Sequence, residues 1–87
     1  MESRSLIAHN LKRIRLTKRL SQEGLALEAN VDRTYVGGLE RAARNPSVDI
    51  LDKLAGALEV KTAEFFTDAE EAEMPPGLPR GRRPKSS

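Results

Sequence analysis

Apolar residues recur along this chain at steps of three and four, never in sustained alternation, and the pattern predicts helices and no strands. Ile7, Leu11 and Ile14 mark the buried stripe of a first helix over 6–19. Leu25, Ala26 and Ala29 mark a second, and Val36 and Leu39 a third. Ile50, Leu51, Leu54, Ala55 and Leu58 form the strongest stripe, and a fifth short helix is predicted within 60–68 around Phe65 and Phe66. The punctuation agrees with these boundaries. Ser21 is placed to cap the second helix and Asp32 the third, while Asn30 sits at the turn between them and tolerates a left-handed backbone. Pro46-Ser47 opens the fourth helix, with Asp49 at its positive end, and Thr62 is the cap candidate for the fifth. The expected fold is all-α: five short helices in one domain over 1–68, the second and third joined by a tight turn. Residues 1–5 are polar and expected to fray.

Between 21 and 41 the pattern exposes Arg33, Thr34 and Tyr35 in the first turn of the third helix. A helix that offers its N-terminal side chains in this way matches the geometry that reads base edges in the major groove. Arg33 can hold guanine O6 and N7 bidentately, or it can pair with Asp32 or Glu28 instead. Thr34 suits a thymine methyl or a phosphate. Tyr35 reaches a phosphate with its hydroxyl or serves packing alone. Gln22 is either an ordinary polar helix residue or part of a phosphate clamp with the free N–H groups of a helix start. Gly37 and Gly38 weaken the helix that holds them, so they mark either tolerated weakness or a place where a side chain would collide with DNA or a partner. In the loop that follows, Arg41, Arg44 and Asn45 are candidates for DNA backbone contact, Arg44 also for minor-groove insertion; the alternative is a mobile, solvated loop.

The stretch SQEGLALEANVDRTYVGGLER, followed by NPSVDILDKLAGALEV, resembles the phage-repressor-like helix-turn-helix regulators of the Xre or Cro/C1 class. The portion DRTYVGGLERAARNPS is especially similar to their small stand-alone members, among them the controller proteins of restriction–modification systems. The resemblance covers residues 6–66 and implies a lambda-repressor-like DNA-binding domain with its helix-turn-helix at helices two and three. It implies that Arg15 pairs with Glu40 at the end of the recognition helix, with phosphate contact as an additional role, and that Gln22 acts as the phosphate clamp. It places Gly38 where phage repressors can carry a base-reading side chain, so specificity is expected to lean on Arg33, Thr34, the residues after the helix and DNA shape. Ala42 stands where the family usually has the glycine that ends this helix, which puts strain on the loop.

Composition narrows the function further. The 87 residues allow one small domain with a marginal core, to which a dimer interface can add stability. There are no cysteines and a single histidine, His9, so disulfides, thiolate catalysis and Cys/His metal sites are ruled out. No cofactor or metal is expected. No nucleophile–base pair, supported carboxylate pair or glycine-rich phosphate loop stands out, which argues against an enzyme. No apolar run nears the roughly 20 residues of a membrane span, and no signal peptide is seen, so a cytoplasmic protein of bacterial or phage type, on the nucleoid when DNA-bound, is expected. The net charge of +2 hides an asymmetry: nine Lys/Arg against five Asp/Glu over 1–45, two against eight over 46–73, and four against none over 74–87. The basic front suits phosphates. Residues 69–87 read as an acidic segment, then a disordered basic tail rich in Pro and Arg, a source of nonspecific DNA affinity or of solubility. Adjacent Phe65 and Phe66 cannot both enter one interior, so a homodimer surface is expected at 58–68 from Leu58, Val60, Phe65 and Phe66. The expected partners are double-stranded DNA, a second copy of the chain, and RNA polymerase or a regulatory protein, with no membrane. The expected function is a sequence-specific transcriptional regulator, repressing or activating as a homodimer on an inverted repeat. The alternative is a protein-interaction module of the same fold, an antitoxin or adaptor, with secondary DNA binding.

Overall fold

In the computed structural model, which describes residues 2–68 together with Met74, Pro75 and Gly77, four α-helices and one 3₁₀ helix follow in order. They are α1 (Ser3–Thr17), α2 (Gln22–Ala29), α3 (Arg33–Glu40), α4 (Val48–Leu58) and the 3₁₀ helix Thr62–Phe66. The described residues contain no strand. α1 packs on α3 and on the 3₁₀ helix, α2 on α3 and α4, and α4 on the 3₁₀ helix. The stripes read from the sequence meet in one core: Ile7, Leu11, Ile14, Leu25, Ala26, Ala29, Val36, Leu39, Leu51, Leu54, Ala55, Leu58 and Phe65. The expected helix extension over 69–73 and the basic tail lie outside the described residues, apart from Met74, Pro75 and Gly77.

All four α-helices stop in the same way. A non-glycine residue turns left-handed, namely Arg19, Asn30, Ala42 and Glu59, with φ between 58° and 60°. The next amide then bonds a carbonyl five residues back: Leu20 to Arg15, Val31 to Ala26, Ala43 to Gly38 and Val60 to Ala55, at 2.8–3.1 Å. This closure explains why α1 ends at Thr17 and not at 19. With Arg19 reversed, Leu20 drops against the core. Ala42 adopts the left-handed conformation that favours glycine. At the other end of α1 the helix begins at Ser3, so the residues expected to fray are mostly helical, with the Leu6 amide bonded to the Glu2 carbonyl at 2.9 Å.

The caps divide. Ser21 Oγ accepts from the Gly24 amide at 2.9 Å and Ser47 Oγ from the Ile50 amide at 3.1 Å. Asp32 and Thr62 do not cap. Asp32 makes no side-chain bond to α3, and the Thr62 hydroxyl donates instead to Asp52 Oδ1 at 2.7 Å. The predicted fifth helix is the short 3₁₀ helix, and carbonyls at its C-terminal end find a partner on α1. Asn10, fully buried on α1, donates through Nδ2 to the carbonyls of Phe65 (2.9 Å) and Thr67 (2.8 Å). Its Oδ1 accepts from Arg13 Nε at 3.2 Å. The chain after Phe66 has no need of a further helical turn to satisfy these groups.

The expected dimer surface needs correction at two of its four residues. Leu58 and Phe65 are 1% and 0% exposed, both inside the core of the single chain. Their contacts are with their own domain, which leaves Val60, half-buried at the core edge, and Phe66, 46% exposed, as the apolar groups a partner can reach.

Candidate nucleic-acid interface

The candidate interface is built around α3, whose rear is fixed by one charge network. Arg15 lies on the inner face of α1, and its side chain is only 8% exposed. Its Nε donates to Glu40 Oε2 at 2.6 Å and its Nη2 to Glu40 Oε1 at 2.9 Å, a bidentate pair of the kind that suits a guanidinium. Its Nη1 donates to the Leu20 carbonyl at 2.8 Å. Glu40, 4% exposed along its side chain, also accepts from Gln22 Nε2 at 3.1 Å. One carboxylate thus ties the last turn of α3 to α1 and to the first residue of α2. The pairing implied by the family resemblance is present. So buried a guanidinium has little surface left for the additional phosphate role of Arg15.

Glu40 also orients Gln22. A carboxylate only accepts, so the amide nitrogen of Gln22 must face Glu40 and its oxygen must point away. The oxygen lies 3.5 Å from where a Cβ on Gly37 would stand, and Arg41 Nη1 lies 3.3 Å from the same point. For a phosphate clamp at this helix start, one of the two N–H groups of the Gln22 amide is therefore already spent on Glu40. The donors left are its second N–H and the first-turn backbone N–H groups of α2 not used by the Ser21 cap.

The front of α3 is open. Arg33 and Thr34 are exposed, and Arg33 forms no ion pair with Asp32, Glu28 or any other described residue. Tyr35 is half-buried against the core edge, and the Arg44 guanidinium carbon sits 5.4 Å from its ring centroid, in cation–π range. Arg41, Arg44 and Asn45 are all exposed beside this face. Arg44 and Lys53 both border an open groove floored by Val31, Tyr35 and Ile50, and Lys53 Nζ is 3.5 Å from the Asn30 carbonyl.

The glycine pair has an internal explanation. Gly37 and Gly38 are both buried, and the side chains over them are the protein's own: Gln22 and Arg41 at Gly37, Arg44 at Gly38. Collision with DNA or a partner and mere weakness are the two alternatives visible in the sequence, and the protein's own side chains are a third. Asn10 is not among the residues that the sequence singles out. The signal was present, because position 10 falls between Ile7 and Ile14 on the apolar stripe of α1, where a polar residue needs a buried partner.

The described residues contain no grouping of His, Cys, Asp and Glu suited to a metal ion, and no helix long and apolar enough to cross a membrane.

A sequence profile described as helix-turn-helix matches residues 11–65. An uncharacterised HTH-type transcriptional regulator, y4dJ of Sinorhizobium fredii, is 38% identical over 71 residues, 82% of this chain and 92% of its own length. Control protein C.BamHI of Bacillus amyloliquefaciens is 42% identical over 64 residues, covering 72% of this chain and 79% of its own. Among solved structures, the tetramer of restriction–modification controller protein C.Esp1396I in complex with its natural 35 base-pair operator superposes with a TM-score of 0.72. That match is at 36% identity and covers 83% of this chain and 95% of the other.

Proposed function

The chain belongs to the helix-turn-helix family of DNA-binding transcriptional regulators, and from that premise we propose that it binds duplex DNA sequence-specifically, as a homodimer on an inverted-repeat operator. The observation that carries this reading is the asymmetry of α3. Its last turn is locked into the core through Glu40, while its first turn presents Arg33 and Thr34 with no internal partner. In the proposed complex Arg33 reads a guanine through two hydrogen bonds and Thr34 contacts a thymine methyl or a phosphate. Tyr35, Arg41 and Asn45 hold the backbone of the duplex, as do the free amides at the start of α2 beside Gln22. Arg44 supplies a further contact from the loop. Arg15 acts chiefly as the anchor behind Glu40. The role is binding and not catalysis, exercised on DNA in the cytoplasm.

The homodimer rests on Phe66, 46% exposed, and on Val60, half-buried at the core edge. C.Esp1396I provides the precedent of an assembly on its operator. Two copies related by a two-fold axis call for half-sites about one helical turn apart.

Selection of bound duplexes from a random pool at moderate salt tests the reading. A two-fold-symmetric site should be enriched. Enrichment of nothing beyond generic duplex would overturn sequence-specific regulation and move the weight to a protein-interaction module. Substituting Phe66→Glu should shift the protein to monomer in sedimentation and weaken binding to the full site more than to a half-site.

A further inference from the structure

Thr34 and Gly38 on the outward stripe of α3, and Arg41 at the cap just past its end, are spaced so that they share one face, and Gly38 leaves a vacancy in the middle of it. The vacancy is filled from the loop. A Cβ built on Gly38 would stand 2.7 Å from Arg44 Cγ, 3.0 Å from its Nε and 3.4 Å from its Cδ. The middle of the Arg44 side chain, from Cγ to Nε, therefore lies on the bare backbone of the recognition helix. From that seat its guanidinium reaches over the ring of Tyr35, three residues before Gly38 on the same side of the helix. The Ala43 amide closes α3 onto the Gly38 carbonyl at 2.8 Å, which starts the loop toward this position.

We propose that Gly38 is a positioning residue, whose missing side chain seats Arg44 on the recognition helix so that Arg44 serves as the specificity-determining side chain α3 itself lacks there. The proposal rests on the DNA-binding reading above and deepens it. Two features support a seat over a simple tolerance of glycine. The contact at 2.7 Å involves Cγ, close to the root of the Arg44 side chain, so an added methyl displaces the whole arginine and not merely its tip. The cation–π contact fixes the other end, so the arginine is held at both root and head. An arginine held in advance loses less conformational freedom on meeting a base than one drawn from a free loop.

The test compares Gly38→Ala, Arg44→Ala and the double variant with the wild type, by duplex selection and by titration of the wild-type site against scrambled duplex. Alanine is the better helix former, so Gly38→Ala should melt no lower than the wild type. It should nevertheless bind the selected site about tenfold more weakly, and lose base preference at the same positions as Arg44→Ala. Adding Gly38→Ala to Arg44→Ala should change nothing further. In the free protein, the Tyr35 ring-current shift on the Arg44 Hδ protons should vanish in Gly38→Ala. If Gly38→Ala keeps the wild-type site and the ring-current shift, the seat is wrong. If it weakens binding equally with Arg44 already removed, Gly38 acts by its own clearance from DNA and the proposal fails. If the wild type itself selects no site, the regulator reading falls and takes this proposal with it, an outcome distinguishable from the other two because it precedes any variant.

Discussion

The two ends of α3 are held in opposite ways. At its C-terminal end Glu40, nearly buried, accepts three hydrogen bonds from Arg15 and Gln22. At its N-terminal end Asp32 forms no cap, and Arg33 and Thr34 stand in solvent. The contrast separates stability from recognition along a helix of only eight residues. The locked end fixes the direction in which the helix points. The open end keeps its donors unspent, which is what base reading needs, since a side chain already paired must break that pair to bind.

The contrast can be broken at either end. Glu40→Ala should have the largest effect, because it leaves the Arg15 guanidinium buried without its counter-charge. Losing one partner of such a pair costs about 3–5 kcal/mol, and thermal or urea unfolding should register it. A loss under about 1 kcal/mol would mean that the network is not the anchor of α3. Arg33→Ala should do the reverse, leaving unfolding within about 0.5 kcal/mol of wild type. Its penalty of about 1–3 kcal/mol should appear in binding to the selected duplex, with preference relaxed at one position of the half-site. If Arg33→Ala binds specific and scrambled duplex just as the wild type binds each, Arg33 is not in the interface.

The caps sharpen the same comparison. Ser21→Ala should cost about 1 kcal/mol in unfolding, since it removes the bond to the Gly24 amide. Asp32→Ala removes no cap bond, so its cost should stay well below that of Ser21→Ala. Comparable losses at the two positions would show that the open end of α3 is capped in solution after all. The smallest effect is a gain. Ala42→Gly should stabilise the fold by about 0.5–1 kcal/mol, as relief of left-handed strain outweighs the added freedom of the unfolded chain. Because Ala42 leads into the loop that carries Arg44, DNA binding measured alongside will show whether that strain also shapes the interface.

Helix positions, the turn at Asn30, the buried stripes and the exposure of Arg33 and Thr34 were legible in the sequence, because each follows from helical spacing or from the preference of one residue for a local conformation. The family resemblance supplied the Arg15–Glu40 pair, which joins residues 25 apart and has no local signature. Only the tertiary structure decided the rest. Periodicity says that one of Phe65 and Phe66 must turn outward; packing against α1 and α4 chose Phe65 for the core. A polar residue on an apolar stripe says that Asn10 needs a partner; folding brought it the carbonyls 55 and 57 residues away that end the 3₁₀ helix. Two glycines in a helix signal a missing side chain. What lies over them, Arg41 and Arg44 from the loop beyond, depends on the path of the chain after α3, and no repeat or propensity within the helix encodes that path.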